Sequence, residues 1–144
     1  MPKVWTIGYE QASMGQFFAA LQQAGVEVVA DVRAVAASRR PGFAKSSLAA
    51  NLREAGIGYV HLRALGTPPE GRAAARAGKR AELERIYAGQ LELPEALAAS
   101  AELAELARDK RVALLCYERD PACCHRTLLR EAMLGEFEAV DLTP

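Results

Sequence analysis

The segment KVWTIGYEQASMGQFFAALQQAGVEVVADV, residues 3–32, contains a short strand, an amphipathic helix and a second strand in succession. The first strand, Lys3–Ile7, stops at Gly8. The second, Val26–Val32, is β-branched and nearly continuous, as is typical of a strand that is buried on both faces. Between them lies Ser13, which is followed three residues later by a glutamine, the pattern of a helix N-terminal capping box. This order predicts parallel strands in a sheet that is covered by helices.

The alternation of strands and helices continues to the end of the chain. Three further segments have the apolar composition of strands: Ile57–Leu62, Val112–Tyr117 and Glu138–Leu142. Four segments have the pattern of helices: one that starts at Ser46 or Ser47, then Arg72–Ala88, Pro94–Arg108 and residues 125–134. The sequence therefore predicts a single α/β domain over residues 1–144. Its expected architecture is a three-layer α/β/α sandwich with a mostly parallel sheet of about five strands.

Composition and charge limit the class of protein. Of the 144 residues, 51% are apolar and 25% are charged, as in an ordinary globular domain. We see no apolar run near the roughly 20 residues of a membrane span and no signal peptide, so we expect a cytoplasmic protein without membrane association. The net charge is zero, but residues 31–80 carry ten Lys and Arg against three acidic residues. Such a basic segment suits phosphate binding, and it is also ordinary for a solvated surface.

Ionisable residues follow the predicted ends of four strands. Ligands of open parallel sheets bind at the carboxyl ends of the strands, so we expect these side chains to converge on one edge. The opposite ends of the strands offer fewer charged residues. The candidate ligand-binding residues at the carboxyl edge are Gly8, Glu10, Asp31, Arg33, Ser38, Arg39, Tyr59, His61 and Arg126.

The densest group of reactive side chains lies in CYERDPACCHR, residues 116–126. In one interpretation Cys124, at a helix N-terminus beside Arg126, is a catalytic thiolate, and His125 or Glu118 transfers protons. In a second interpretation, cysteines and histidines bind zinc, although their spacing is not that of a structural zinc finger. In a third, the cysteines are apolar filler, and the residues after them bind an anion. We assign Cys124, His125 and Glu118 as catalytic candidates, and we assign no metal ligand and no cofactor.

Further patterns bear on the cysteines and on phosphate. Three cysteines leave one unpaired, and disulfides are uncommon in cytoplasmic proteins, so we expect no disulfide. No glycine-rich phosphate-binding motif is present in the sequence. Four basic residues of the predicted helix share one face and could follow a phosphate backbone or be solvated: Arg72, Arg76, Lys79 and Arg80.

Taken together, these motifs resemble one family. They are TIGYE at residues 6–10, DVR at 31–33, SR at 38–39, PGF at 41–43, YVH at 59–61, LG at 65–66, LCYE at 115–118 and CHR at 124–126. They are similar to the family called domain of unknown function 488. The resemblance implies a single α/β domain of bacterial or archaeal origin, and it implies the same candidate residues, but it supplies no reaction. The chain lacks the proline that is usual between DVR and SR, and Thr67 stands where a second glycine is common.

The leading hypothesis is a protein that binds or acts on an anionic, phosphate-bearing ligand at the carboxyl edge of the sheet. A nucleotide or a nucleic acid is the expected source of the phosphate, with Arg33, Arg39 and Arg126 holding the anion. Covalent chemistry, if present, would use the Cys124 thiolate. One alternative is a metal-stabilised, non-catalytic binding module, and another is an adaptor whose basic face over residues 31–80 docks a protein or a nucleic acid. The sequence does not decide whether the protein is an enzyme, and it names no protein partner.

Overall fold

The computed structural model describes residues 2–36, 38, 40–120 and 124–144. Within these residues, five strands form one sheet: β1 (Lys3–Gly8), β2 (Val28–Asp31), β3 (Gly58–His61), β4 (Val112–Cys116) and β5 (Glu138–Leu142). The helices that connect them are α1 (Met14–Ala24), α2 (Lys45–Glu54), α3 (Pro69–Arg76), α4 (Arg80–Leu91), α5 (Pro94–Asp109) and α6 (His125–Met133). A short 3₁₀ turn at Arg63–Leu65 follows β3.

The sheet has the strand order β3-β2-β4-β1-β5, and neighbouring strands are parallel. Side chains alternate between two cores, because successive residues of a strand point to opposite faces. In β2, Val28 and Ala30 belong to the core under α4, α5 and α6, whereas Val29 belongs to the core under α1 and α2. The predicted three-layer α/β/α architecture with a parallel sheet is therefore confirmed.

The topology places a crevice at the carboxyl end of β4. This strand lies between β1 and β2. The chain leaves β1 and β2 towards α1 and α2 on one face, but it leaves β4 towards α6 on the other face. Chain paths that diverge from neighbouring strands open a crevice there, which is where ligands of open α/β sheets bind.

The first helix forms as its sequence predicts. Ser13 is the N-cap of α1, and its Oγ accepts a hydrogen bond from the backbone N–H of Gln16 at 3.1 Å. The Gln16 side chain in turn accepts one from the Ser13 backbone N–H at 2.9 Å, which completes the capping box. Gly25 ends the helix in the left-handed conformation, with φ of 71°.

The predicted single helix Arg72–Ala88 is wrong, because the segment forms two helices, α3 and α4. Gly78 lies between them with φ of 71°, a backbone conformation that interrupts a right-handed helix. Arg72 and Arg76 therefore lie on α3 and Arg80 lies on α4, so the predicted basic stripe is not the face of one helix. Among the helices of the described ranges, we find none that is long and apolar enough to span a bilayer.

Candidate functional site at the carboxyl edge of the sheet

A cavity of about 390 Å³ lies where β1, β2 and β4 end, in the crevice that the topology creates. Its lining residues come from the end of β4 and the segments after these three strands, from Thr67, from α3 and α4, and from the first residue of α6. The polar and charged side chains among its lining residues are Tyr9, Arg33, Ser38, Arg40, Thr67, Arg72, Cys116, Tyr117, Glu118 and His125. The sheet edge predicted from the sequence therefore does contain a cavity.

A buried ion pair fixes the end of β2. Asp31 is fully buried, and its carboxylate accepts hydrogen bonds from Arg33 Nε at 2.8 Å and Arg33 Nη2 at 2.7 Å. It also accepts bonds from the Arg33 backbone N–H at 3.1 Å and from the Tyr59 hydroxyl at 2.6 Å. Burial alone would lower the pKa of Arg33, but the Asp31 carboxylate raises it above its ordinary value. Asp31 and Tyr59 thus position Arg33, which lines the cavity.

Arg33 also anchors the loop that follows β2. Its Nη1 donates to the Phe43 carbonyl oxygen at 2.8 Å and to the Tyr9 hydroxyl at 3.2 Å. The Tyr9 ring stacks on Phe43, with centroids 4.5 Å apart. Arg40 lies over the Phe43 ring and donates to the backbone carbonyl oxygens of Tyr9 and Ala12. The basic loop is therefore folded over the end of β1.

Both histidines hold the backbone that leads from β2 into the cavity. His61 Nε2 lies 2.8 Å from the Arg33 carbonyl oxygen, and His125 Nε2 lies 2.7 Å from the Val32 carbonyl oxygen. A carbonyl oxygen only accepts, so each Nε2 carries the proton of its bond. Burial lowers the pKa of His125 to about 4, which keeps the ring neutral at neutral pH. The Nδ1 of His125 is then an acceptor, and it lies 3.8 Å from Cys124 Sγ.

Arg126 holds the segment after β4 rather than reaching into the cavity. It is fully buried, and it donates to Cys116 Sγ at 2.9 Å and to the carbonyl oxygens of Glu118 and Arg119. Its Nε has no partner among the described residues. Burial lowers the pKa of Arg126 from its ordinary value. Glu10 supports the same segment, because its carboxylate accepts the Arg119 backbone N–H at 3.0 Å.

Gly8 is required by the close approach of this segment. A Cβ atom at Gly8 would lie 1.8 Å from the Glu118 carbonyl oxygen and 2.8 Å from Arg126 Nη1. Arg126 donates to the Glu118 carbonyl oxygen and to the Arg119 carbonyl oxygen, so neither Arg126 nor Glu118 can move away from Gly8 without breaking a hydrogen bond. The glycine of the TIGYE motif therefore allows β1 and the end of β4 to meet at the cavity.

Gly8→Ala is accordingly expected to lower the free energy of unfolding by about 1–3 kcal/mol, the usual cost of overpacking a well-packed region. Urea denaturation followed by circular dichroism measures it. The matched control is Gly89→Ala in α4, where nothing lies within 4 Å of the new Cβ. That control should raise stability by about 0.5–1 kcal/mol, as alanine does in a helix interior. Equal effects of the two substitutions would contradict the close approach at Gly8.

Cys116 and Cys124 are joined by a disulfide with an S–S distance of 2.05 Å. The expectation of no disulfide is therefore wrong, and in this form Cys124 carries no thiolate. The bond joins the end of β4 to the N-cap of α6, where Cys124 Sγ also accepts the Arg126 backbone N–H at 3.4 Å. The spacing alone could not predict this pair, because it depends on how the segment after β4 returns to the sheet.

Cys116, Cys124 and His125 also form a buried group with potential metal-ligand atoms within 4.8 Å of one another. Two features oppose a cation at this position. The two sulfurs are bonded to each other, and the Arg126 guanidinium lies 2.9 Å from Cys116 Sγ. A positive group at that distance disfavours a second cation and favours an anion.

Two further side chains shape the chemistry of the cavity. Burial raises the pKa of the Glu118 carboxyl, so its neutral form persists to higher pH than usual. Tyr117 is 46% exposed, and its ring meets the Tyr9 ring edge-on at 5.4 Å. The cavity thus offers a carboxyl group with a reduced tendency to ionise and an open aromatic ring.

The predicted site residues divide into two groups. Arg33, Ser38, Glu118 and His125 line the cavity, as the rule about strand ends predicts. The others surround it without being among its described lining residues, and each contacts the backbone or side chains that shape it: Gly8, Glu10, Asp31, Tyr59, His61, Cys124 and Arg126. Arg39 and Cys123 lie outside the residues that the structure describes.

Two arginines that line the cavity, Arg40 and Arg72, are not among the candidate site residues, although the sequence predicted Arg72 in a basic stripe that could follow a phosphate backbone. Arg72 lines the cavity from α3, and its Nη1 donates to the Thr67 carbonyl oxygen at 2.8 Å. Arg40 was adjacent to the SR motif, which was a usable signal. Arg72 gave only a weak one, because its place depends on how α3 packs over the sheet edge.

The fold and the cavity place the chain in the class of α/β proteins that have a parallel sheet and a ligand-sized crevice at its carboxyl edge. The family model of the domain of unknown function DUF488 matches residues 13–133. The chain belongs to this family. Neither the curated proteins nor the solved structures contain a significant match to the chain.

Proposed function

We propose that the chain binds a nucleotide phosphate in the cavity at the carboxyl edge of its sheet. The observation that carries the proposal is a pair of guanidinium groups, those of Arg40 and Arg72, that line the cavity. Both donate to backbone carbonyl oxygens, and neither has a carboxylate partner within the described part of the chain. Their positive charge is therefore available to an anion, and arginine suits phosphate because its planar donors match the phosphate oxygens.

The other charges of the cavity support this assignment. Arg33 is already neutralised by Asp31, so it contributes little net charge. Glu118 would repel a phosphate when ionised, but the raised pKa of its carboxyl reduces this repulsion. In its neutral form Glu118 can donate a hydrogen bond to a phosphate oxygen. The cavity thus has a net positive charge where the topology opens the sheet.

The lining also supports a ligand larger than inorganic phosphate. The volume of about 390 Å³ falls in the range of small-molecule sites. Tyr117 is exposed at the cavity and offers a ring face on which a base can stack. Val35, 55% exposed, adds apolar surface to the same cavity. A phosphate group next to a planar base fits these features together.

Arg72→Gln is expected to weaken the binding of AMP by about tenfold or more, because it removes a charge-assisted hydrogen bond to phosphate. Isothermal titration calorimetry at low salt measures the affinity. The control is Arg85→Gln, which makes the same change at an exposed position of α4 that is not among the lining residues. We prefer Arg72 to Arg40 for this test, because Arg40 also holds two backbone carbonyls.

Wild-type protein that binds neither AMP nor a 5′-phosphorylated oligonucleotide would contradict the proposal, as would equal affinities of the two variants. Comparing the two ligands distinguishes a free nucleotide from the end of a nucleic acid. The same titration separates the adaptor alternative, because docking on the whole basic face over residues 31–80 would weaken steeply with salt and would hardly depend on Arg72 alone.

A further inference from the structure

We propose that Cys116 and Cys124 form a reversible dithiol–disulfide couple that reacts with small organic disulfides in the cavity, with Cys116 as the attacking thiolate. This activity goes beyond nucleotide binding and does not depend on it. It also changes the assignment of the nucleophile, since sequence reasoning chose Cys124.

The position of each sulfur supports these roles. Both sulfurs are buried, but Cys116, the last residue of β4 and 1% exposed, lines the cavity. Cys124 is fully buried at the N-cap of α6 and is not among the described lining residues. A molecule in the cavity therefore reaches Cys116 first. Cys124 remains within bonding distance of Cys116, as the disulfide demonstrates, so it is placed to displace whatever Cys116 has bound.

A neighbouring cation favours the thiolate form of Cys116. Arg126 Nη1 lies 2.9 Å from Cys116 Sγ, and a guanidinium at that distance favours the thiolate over the thiol. Cys124 Sγ faces His125 Nδ1 at 3.8 Å. This nitrogen is an acceptor, because His125 Nε2 uses its proton in the bond to the Val32 carbonyl oxygen. Cys124 Sγ also accepts the Arg126 backbone N–H at 3.4 Å, so the choice of Cys116 as the attacking sulfur rests on its place in the cavity wall.

The surroundings of the disulfide point in the same direction. A disulfide that borders a cavity and lies beside a cation has the surroundings of a reactive pair rather than of a structural one.

The proposed exchange has two steps. The Cys116 thiolate attacks one sulfur of R–S–S–R, the S–S bond of the reagent breaks, and one R–S⁻ leaves. Cys124 then gives its proton to the released R–S⁻, and its thiolate attacks Cys116 Sγ and expels the second R–S⁻. The two leaving groups take up the protons that the two cysteines lost. The protein is oxidised to the Cys116–Cys124 disulfide, and the small disulfide is reduced to two thiols.

The test uses reduced protein that carries Cys123→Ser, with dithiodipyridine as the small disulfide and absorbance of the released thiopyridone as the readout. The parent is expected to release two molecules rapidly and to keep an unmodified mass, less two hydrogens. Adding Cys124→Ser should give one molecule and a stable adduct on Cys116. Adding Cys116→Ser should slow the reaction at least tenfold, to the rate of a buried thiol. Circular dichroism verifies that each variant is folded.

Two results would overturn the proposal. One is a Cys116→Ser protein that keeps the fast phase, since Cys124 would then be the nucleophile. The other is a reduced parent whose thiols react no faster than the single thiol of the Cys116→Ser protein. If the Cys116→Ser or Cys124→Ser protein fails to fold, the order in which the two cysteines of the parent react tests the proposal instead. In it, brief alkylation of the reduced parent by iodoacetamide, followed by peptide mass mapping, should label Cys116 before Cys124, and the opposite order contradicts the proposal.

Discussion

Replacing Asp31 by asparagine is expected to lower the free energy of unfolding by about 3–5 kcal/mol. The carboxylate is fully buried and accepts hydrogen bonds from the Arg33 guanidinium and the Tyr59 hydroxyl. The substitution leaves the Arg33 charge buried without its counter-charge, and an uncompensated buried charge is among the most destabilising defects in a fold. Urea denaturation at neutral pH, monitored by circular dichroism, measures the difference.

An exposed ion pair provides the control for this prediction. Arg108 and Glu136 form a salt bridge at 2.7 Å, but both side chains are more than half exposed. Glu136→Gln should therefore change the free energy of unfolding by less than about 0.5–1 kcal/mol. If Asp31→Asn were no more destabilising than this control, Asp31 would not be the residue that holds Arg33 at the cavity.

The second large effect concerns pH, because His125 is neutral in the folded protein. Burial lowers its pKa to about 4 from an ordinary value of 6.5. Below about pH 6.5 His125 becomes protonated in the unfolded chain but stays neutral in the folded protein. The contribution of His125 to stability, which is fully present above pH 6.5, is therefore lost as the pH falls towards 4. The expected loss is about 3 kcal/mol, from the size of the shift.

His125→Gln isolates this contribution, since other groups also titrate in the same range. The difference in free energy of unfolding between wild type and variant should be largest above pH 6.5 and should shrink by about 3 kcal/mol down to pH 4. Denaturation curves at several pH values provide the comparison. A difference that stays constant with pH would mean that His125 is not held in its neutral form.

The fold was predictable where local signals agreed with one another. β4 is apolar throughout, β2 is apolar up to its last residue, Asp31, and both are buried inside the sheet. The start of α1 was predictable because the side chains of Ser13 and Gln16 form its capping box. The break between α3 and α4 was missed because the Ala- and Arg-rich segment favours helix on both sides of Gly78. That glycine was the one signal, and its positive φ ends the first helix.

The site was predictable only in outline. Arg33 and Glu118, which the rule about strand ends selected from the order of strands alone, line the cavity. This rule could not separate them from Tyr59 and His61, which act on the cavity through Asp31 and the Arg33 backbone. The rule could not select Arg72, because α3 does not directly follow a strand in the sequence and lies at the carboxyl edge of the sheet only through packing.

Several expectations remain predictions. They include the single domain over residues 1–144, the cytoplasmic location and the catalytic roles of Glu118 and His125. The raised pKa of the Glu118 carboxyl suits a proton donor at the cavity wall, whereas the lowered pKa of His125 makes its ring a weak proton acceptor. Both roles become testable once a ligand of the cavity is known.

The most direct test of the central claim is to locate a bound phosphate. Backbone amide shifts of the isotope-labelled protein, followed by NMR during titration with AMP, should move around the cavity, at Tyr9, Ser38, Thr67 and Tyr117. A rival position exists at the opposite edge of the sheet, in a cavity of about 400 Å³ that Lys3, Lys110 and Arg111 line. Shifts confined to that opposite edge, or none at all, would contradict the account.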